Sequence, residues 1–308
     1  MDAARPDAAG EYALQLTEAL AGLAVHHDVT VVEPGFRGSL PAGDVLLLPA
    51  GGRPEPGYRC LAWVHDLAPL RGGLGAFRAR FRSAFAASRS DLVVAPSEAV
   101  GGALRRYLRV PAARLAVVQP GIGPGHGRTS REDALARAAA HGLPERYLLA
   151  FGDGALARRA WAAATTPTEG AGLVVAEELG AGRESLPALL SGAIGVLLAE
   201  PLNGNPTRAL QAMACGSPPI VADDGAFPEV VRDGGLTVRS DHPGDWAEAI
   251  SALYRSRPLR TQLSNQGRRL AAELTADRAA RRVLLLAEPG PRVVVDQRVD
   301  AGDPDRRD

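Results

Sequence analysis

Short apolar runs alternate with amphipathic stretches along this 308-residue chain, and that alternation confines the fold more than any other feature. Runs at residues 28–33, 44–48, 60–65, 92–95 and 115–119, then 147–151, 173–176, 195–198, 219–222 and 236–238, consist mostly of Val, Leu and Ala. Unbroken apolarity, as opposed to alternation, is what a strand buried on both faces requires. Between these runs, residues 12–24, 76–87, 98–108, 186–193, 207–214 and 245–255 carry helical periodicity. Strand–helix alternation implies parallel sheets with right-handed crossovers. The expected fold class is α/β, with two doubly wound, Rossmann-like domains. A prior of about one domain per 150 residues gives the same count.

The glycine- and proline-rich stretch 119–130 (QPGIGPGHGRTS) can continue neither a helix nor a strand and marks the boundary. The expected division is a domain at 1–125, a second at 126–275, a helix at 276–287 returning toward the first domain, and a tail at 288–308. Rich in Pro, Asp and Arg, the tail is expected to be mostly disordered, except for a strand pattern (RVVV) at 292–295.

Every basic residue is arginine; the chain has no lysine, which excludes Schiff-base chemistry and a phosphate-loop lysine. Thirty-five basic residues balance thirty-five acidic ones, so no whole-chain field favours nucleic acid as a partner. Cys60 and Cys215, the only cysteines, are too few for a zinc cluster or a disulfide framework. The start, MDAARPDAAG, lacks the pattern of a signal peptide, and no apolar run approaches the ~18 residues of a membrane span. A soluble, cytoplasmic protein is the expectation.

Residues 186–236 carry most information. A strand at 195–198 runs into a Gly/Asn/Pro loop, a helix opens at Thr207 and stops at Gly216, and a strand at 219–222 leads to the acidic turn Asp223-Asp224-Gly225. A polar loop feeding a helix start at the carboxyl edge of a parallel sheet is where open α/β folds bind anions. An ordinary strand–helix connection has the same pattern, and physics alone leaves the two level.

This stretch resembles the donor-binding motif of the retaining family-4 glycosyltransferases of the GT-B fold, through Ala212-Met213-Ala214-Cys215-Gly216 and Pro228-Glu229-Val230. Val64-His65-Asp66-Leu67 and residues 88–97, 108–122 and 147–159 resemble further segments of that family, in order, so the likeness runs from about residue 10 to 287. The resemblance implies a GT-B-like protein with an acceptor-side domain at 1–125 and a nucleotide-sugar-binding domain at 126–275. It implies transfer of a hexosyl group, with retention, from a nucleoside-diphosphate-sugar to a sugar or lipid-linked acceptor. Arg158 and Arg159 fall where the family has an Arg-Lys pair on the diphosphate. Guanidinium is a good bidentate phosphate partner and would stabilise the leaving group. His65 would orient the sugar. Asn203, Gly204, Thr207 and Gln211 would line the donor loop, and Ser97 would either face the donor or cap the helix after it. No metal or other cofactor is expected, since no acidic metal-binding cluster is visible and arginines can neutralise the diphosphate.

Departures from the family pattern motivate a rival, a catalytically impaired glycosyltransferase-like protein acting as a binding or scaffold subunit. A GT-B epimerase is a weaker third. The family's two loop carboxylates land on the amides Asn203 and Gln211, and a loop glycine lands on Pro206, which has no N–H. The family's first strand and Gly-rich loop are missing ahead of the first helix. A miscalled start, a decayed protein, or the tail strand at 292–295 filling the gap would each account for this. Residues 161–172 are also too few for the usual helix–strand–helix. Finally, residues 71–89 hold Arg71, Arg78, Arg80, Arg82 and Arg89 with no acid, and Phe77, Phe81 and Phe85 at helical spacing. Peripheral docking on an anionic membrane is one explanation; core phenylalanines with arginines outside is the preferred one.

Overall fold

A computed structural model describes residues 8–23, 28–32, 42–48, 56–64, 88–165, 170–199, 206–287 and 292–296. Helix α1 (Ala8–Gly22) leads to strands β1 (Asp28–Val32), β2 (Val45–Leu48), β3 (Arg59–Trp63) and β4 (Leu92–Ala95), helix α2 (Glu98–Leu108) and β5 (Leu115–Val117). Then come α3 (Arg131–Ala140), β6 (Arg146–Gly152), α4 (Gly154–Ala163), β7 (Ala171–Val175), α5 (Leu186–Gly192), β8 (Gly195–Ala199) and α6 (Thr207–Ala214). The chain continues through β9 (Pro219–Ala222), α7 (Phe227–Val231), β10 (Leu236–Val238), α8 (Pro243–Arg255), α9 (Arg257–Glu273) and α10 (Ala276–Ala287) to β11 (Arg292–Asp296). These form two compact units: Met1–Gly121 with Ala276–Asp308, and Ile122–Thr275. The second unit is pinned at its two ends by a bridge between Ile122 and Thr275.

The first unit holds a six-stranded sheet, ordered β1-β11-β2-β3-β4-β5, and the second a five-stranded sheet, ordered β10-β9-β8-β6-β7. Every pairing is parallel. The central strands of each sheet are buried on both faces over most of their length, which is why those stretches are apolar. In the second unit, Leu148, Ala150, Leu197 and Ile220 pack under α4 and α8 through Ala157, Ala160, Trp246 and Ile250. Leu149, Val196, Leu198 and Val221 pack on the other face with Leu190, Ala209 and Ala212. The shortened stretch after Arg159 falls in the α4–β7 unit, and β7 is an edge strand, where shortening leaves the central pairings intact.

The gap in the first sheet is filled by β11, the tail strand anticipated in the sequence. Val293 and Val294 pair with Val29 and Thr30 of β1 on one side and with Val45 and Leu46 of β2 on the other. Residues 292–296 of the tail are thus a central strand. Val293 and Val295 join Leu16, Leu20, Val283 and Leu284 on one face, while Val294 meets Leu46, Leu48 and Cys60 on the other. Val294 is 1% exposed. Val294→Asp would bury a carboxylate without a partner there, at a cost of more than about 3 kcal/mol. Urea unfolding should show a lower midpoint for the transition that reports on the first unit; an unchanged midpoint contradicts the placement of β11.

Candidate functional site

Counted from β6, the second sheet has the order 2-1-3-4-5, so the winding reverses between β6 and β8. Doubly wound domains bind ligands at this switch point, beyond the carboxyl ends of the strands. Two helices begin there, α4 after β6 and α6 beyond β8. Strand β6 ends at Gly152, whose φ of +90° disfavours any residue with a Cβ. The Gly152 amide donates to Glu177 Oε1 at 3.0 Å. The next amide, of Asp153, donates to the Ala199 carbonyl at 3.0 Å and ties the ends of the two central strands together.

Asp153 then caps α4: its Oδ1 accepts from the Ala155 and Leu156 amides at 2.9 and 3.1 Å. A carboxylate therefore already stands at the positive end of this helix. Arg158 and Arg159 lie on α4, both exposed. The Arg158 side chain reaches back toward the helix start, so that a Cβ on Gly154 would lie 2.9 Å from its Nη1. Its Nη2 donates to both oxygens of Glu178, at 2.6 and 2.7 Å. The side chains are 54% and 61% exposed, so this pair is screened by water and contributes little to stability.

Helix α6 starts differently. Its N-cap is Pro206, without a side-chain cap, and its first turn holds no acid. Thr207 is buried in that turn. Arg208 donates from Nη1 to Gln211 Oε1 at 2.9 Å and lies 5.3 Å over the ring of Phe151, at the end of β6. Gln211 is fully buried, and its Nε2 is 3.0 Å from His126 Nε2. Arginine can only donate, which sets the amide with Oε1 toward Arg208. Gln211 Nε2 then faces the His126 ring. Gln211 thereby binds the Gly-rich 123–128 segment to the first turn of α6.

The C-terminus of α6 explains the small-residue motif. Gly216, at φ +81°, donates to the Met213 carbonyl, and the Ser217 amide reaches the Ala212 carbonyl at 2.9 Å, a Schellman closure. Burial pushes the Cys215 thiol up to about 12, against a weaker opposing hydrogen bond from Ser191.

Among the expected site residues, Arg158 and Arg159 on α4 and Thr207 and Gln211 on α6 belong to helices that open at the same switch point. Ser97 is buried and accepts from the Val100 amide at 3.1 Å, capping α2 at the carboxyl end of β4. His65, Asn203 and Gly204, residues 71–87 of the arginine-rich stretch and the helix expected at 76–87 lie outside the described residues; Arg89, at its end, is described and exposed. Sequence reasoning passed over Arg208, His126 and the carboxylates of Asp153, Glu177 and Glu178. Arg208 carried a signal, because a cation in a helix's first turn opposes the dipole by about 0.3–1 kcal/mol. His126 carried none, lacking any motif around it.

Two parallel-sheet α/β units, each wound on both faces, define a GT-B-like protein. Residues 178–270 match the family model described as Glycosyl transferases group 1, and residues 45–125 match Glycosyltransferase Family 4. The D-inositol 3-phosphate glycosyltransferase of Salinispora arenicola is 28% identical over 278 residues, covering 75% of this chain. The chain spans 57% of that relative's length. Its counterpart in Nocardia farcinica is 45% identical over 51 residues, 16% of this chain and 11% of its own. Among solved structures, WaaG, a glycosyltransferase involved in lipopolysaccharide biosynthesis, superposes with a TM-score of 0.68 at 15% identity, covering 91% of this chain and 96% of its own. Anabaena HepE, solved with UDP and glucose, gives 0.63 at 16% identity, covering 74% and 71%. At these identities the likeness to the solved structures is one of fold. No described helix is long and apolar enough to cross a membrane.

The burial of Cys215 has a direct consequence. At pH 8 its thiol is protonated and shielded, so a disulfide reagent such as DTNB should react with it at least about a thousandfold more slowly in the native protein than after unfolding in guanidinium. Native labelling at the unfolded rate would contradict the packing of the α6 C-terminus.

Proposed function

We propose that this chain is a retaining glycosyltransferase that moves a hexosyl group from a nucleoside-diphosphate-sugar to a sugar or lipid-linked acceptor, with the donor held at the switch point of the second unit. The observation that carries the proposal is the start of α6. It opens at the carboxyl edge beside central strand β8, without an acid in its first turn, and with Arg208 anchored over Phe151. Amides at such a helix start, joined by guanidinium groups, suit a diphosphate. HepE has been solved with UDP and with UDP-glucose, and the curated relatives are glycosyltransferases.

In the proposed reaction the bond between the anomeric carbon and the diphosphate oxygen breaks. The diphosphate leaves with the electron pair, the oxygen of an acceptor hydroxyl bonds to the same carbon on the face the diphosphate occupied, and the hydroxyl proton passes to the departing diphosphate oxygen. Arg158, Arg159 and Arg208 would offset the charge that develops on the leaving group, so the scheme requires no cofactor. His65 would orient the sugar; Asn203, Gly204 and Thr207 would line the donor loop. Gln211 would act through Arg208 and His126, and Ser97 would hold the start of α2 at the corresponding edge of the first unit. A cytoplasmic location belongs to this reading, as does contact of residues 71–89 with an anionic membrane where the acceptor is lipid-linked.

A second reading, a binding or scaffold subunit without turnover, is favoured by the charges around α4. Asp153 occupies its start and Glu178 holds Arg158, so a diphosphate must displace one carboxylate and tolerate another. Calorimetry with UDP, GDP and ADP separates the possibilities. Arg158→Ala should weaken binding of the preferred diphosphate at least tenfold, about 1.4 kcal/mol. Glu178→Gln, which removes the competing charge, should strengthen it. Binding without any donor hydrolysis over hours supports the second reading, and no binding of any diphosphate at millimolar concentration overturns the first.

A further inference from the structure

The two sheets share one plan. In the second unit the order β7-β6-β8-β9-β10 is 2-1-3-4-5 counted from β6; in the first, the order β1-β11-β2-β3-β4-β5 becomes 2-1-3-4-5-6 once β11 is counted as strand one. The helices follow the same correspondence. Helix α4 follows strand one of its sheet and leads into β7; α1 leads into β1, the equivalent neighbour of β11. Helix α4 packs against α8, the helix after the last strand, and α1 packs against α10, the last helix of its unit. Each pair covers strand one from the same side, α4 and α8 over Leu148 and Ala150, α1 and α10 over Val293 and Val295.

We propose that the first unit is a circular permutant of the doubly wound plan of the second. Its first strand, β11, is joined to the end of α10 instead of to the start of α1. The slot between β1 and β2 is an acceptor for one parallel strand, and its occupant is this chain's own 292–296 segment. Both walls of the slot are backbone ladders without partners until that segment arrives, which is a costly state for a sheet interior. Three successive valines suit the slot because its floor and roof are both apolar. The second unit joins strand one to its first helix through Gly152 and Asp153.

The test keeps all 308 residues and changes only their order. Residues 288–308 are moved in front of residue 1, so that β11 leads into α1 and the chain ends after α10. The rearranged chain is expected to fold with a thermal midpoint within about 5 °C of the parent. In both chains the amides of Val293, Val294 and Val295 should exchange at least about a thousandfold more slowly than an unstructured peptide, at rates matching Val45–Leu48. Adding Val294→Asp to the rearranged chain should abolish protection in the first unit alone. Two results overturn the proposal: a rearranged chain that keeps protection in β6 and β8 but loses it in β2 and β3, or unprotected β11 amides in the parent chain while β2 remains protected.

Discussion

The parallel pairing of β6 with β8 is the constraint on which the second unit depends. Over Leu148–Phe151 and Gly195–Ala199 both strands are buried on both faces and wholly apolar, so little polar function can sit along them. All chemistry is thereby forced to the strand ends. The hydrogen bond from the Asp153 amide to the Ala199 carbonyl holds those two ends in register; α4 starts at the next residue after Asp153, and α6 follows Ala199 after a short connection. The fold thus decides where polar function can sit before any side chain is considered.

At that edge the two helix starts have opposite character. The amides of α4 are met by Asp153, and the nearest arginine by Glu178, so its positive end is internally neutralised. Helix α6 has a proline cap, no acidic first turn and an arginine stacked on Phe151. At α4 an incoming anion must displace the Asp153 carboxylate from the amides it caps, whereas the first turn of α6 carries no acid of its own. This asymmetry places the weight of the proposed donor site on α6, although the motif comparison drew attention first to Arg158 and Arg159.

The strands and the helix at 207–214 were legible in the sequence because a doubly covered strand and a Gly-stopped helix leave strong local patterns. Helices at Arg131–Ala140, Gly154–Ala163 and Arg257–Glu273 were not anticipated, as alanine- and arginine-rich segments show little periodic contrast. The filling of the N-terminal gap could be raised as an option from Arg292 to Val295, but a partner strand hundreds of residues away leaves no local mark. The role of Gln211 was hidden for the same reason. The motif placed it in the lining of the donor loop, and no local pattern signals that His126 and Arg208 engage both its ends within the protein.

The central claim is that a nucleoside diphosphate binds where β6 and β8 end. It is tested most directly by titrating isotope-labelled protein with UDP and following backbone amide resonances. The account predicts that the largest shifts fall on Gly152–Ala155 and Thr207–Leu210, with those of Thr207 and Arg208 exceeding those of Ala155. Shifts confined to other parts of the second unit, or to the first unit alone, would contradict it.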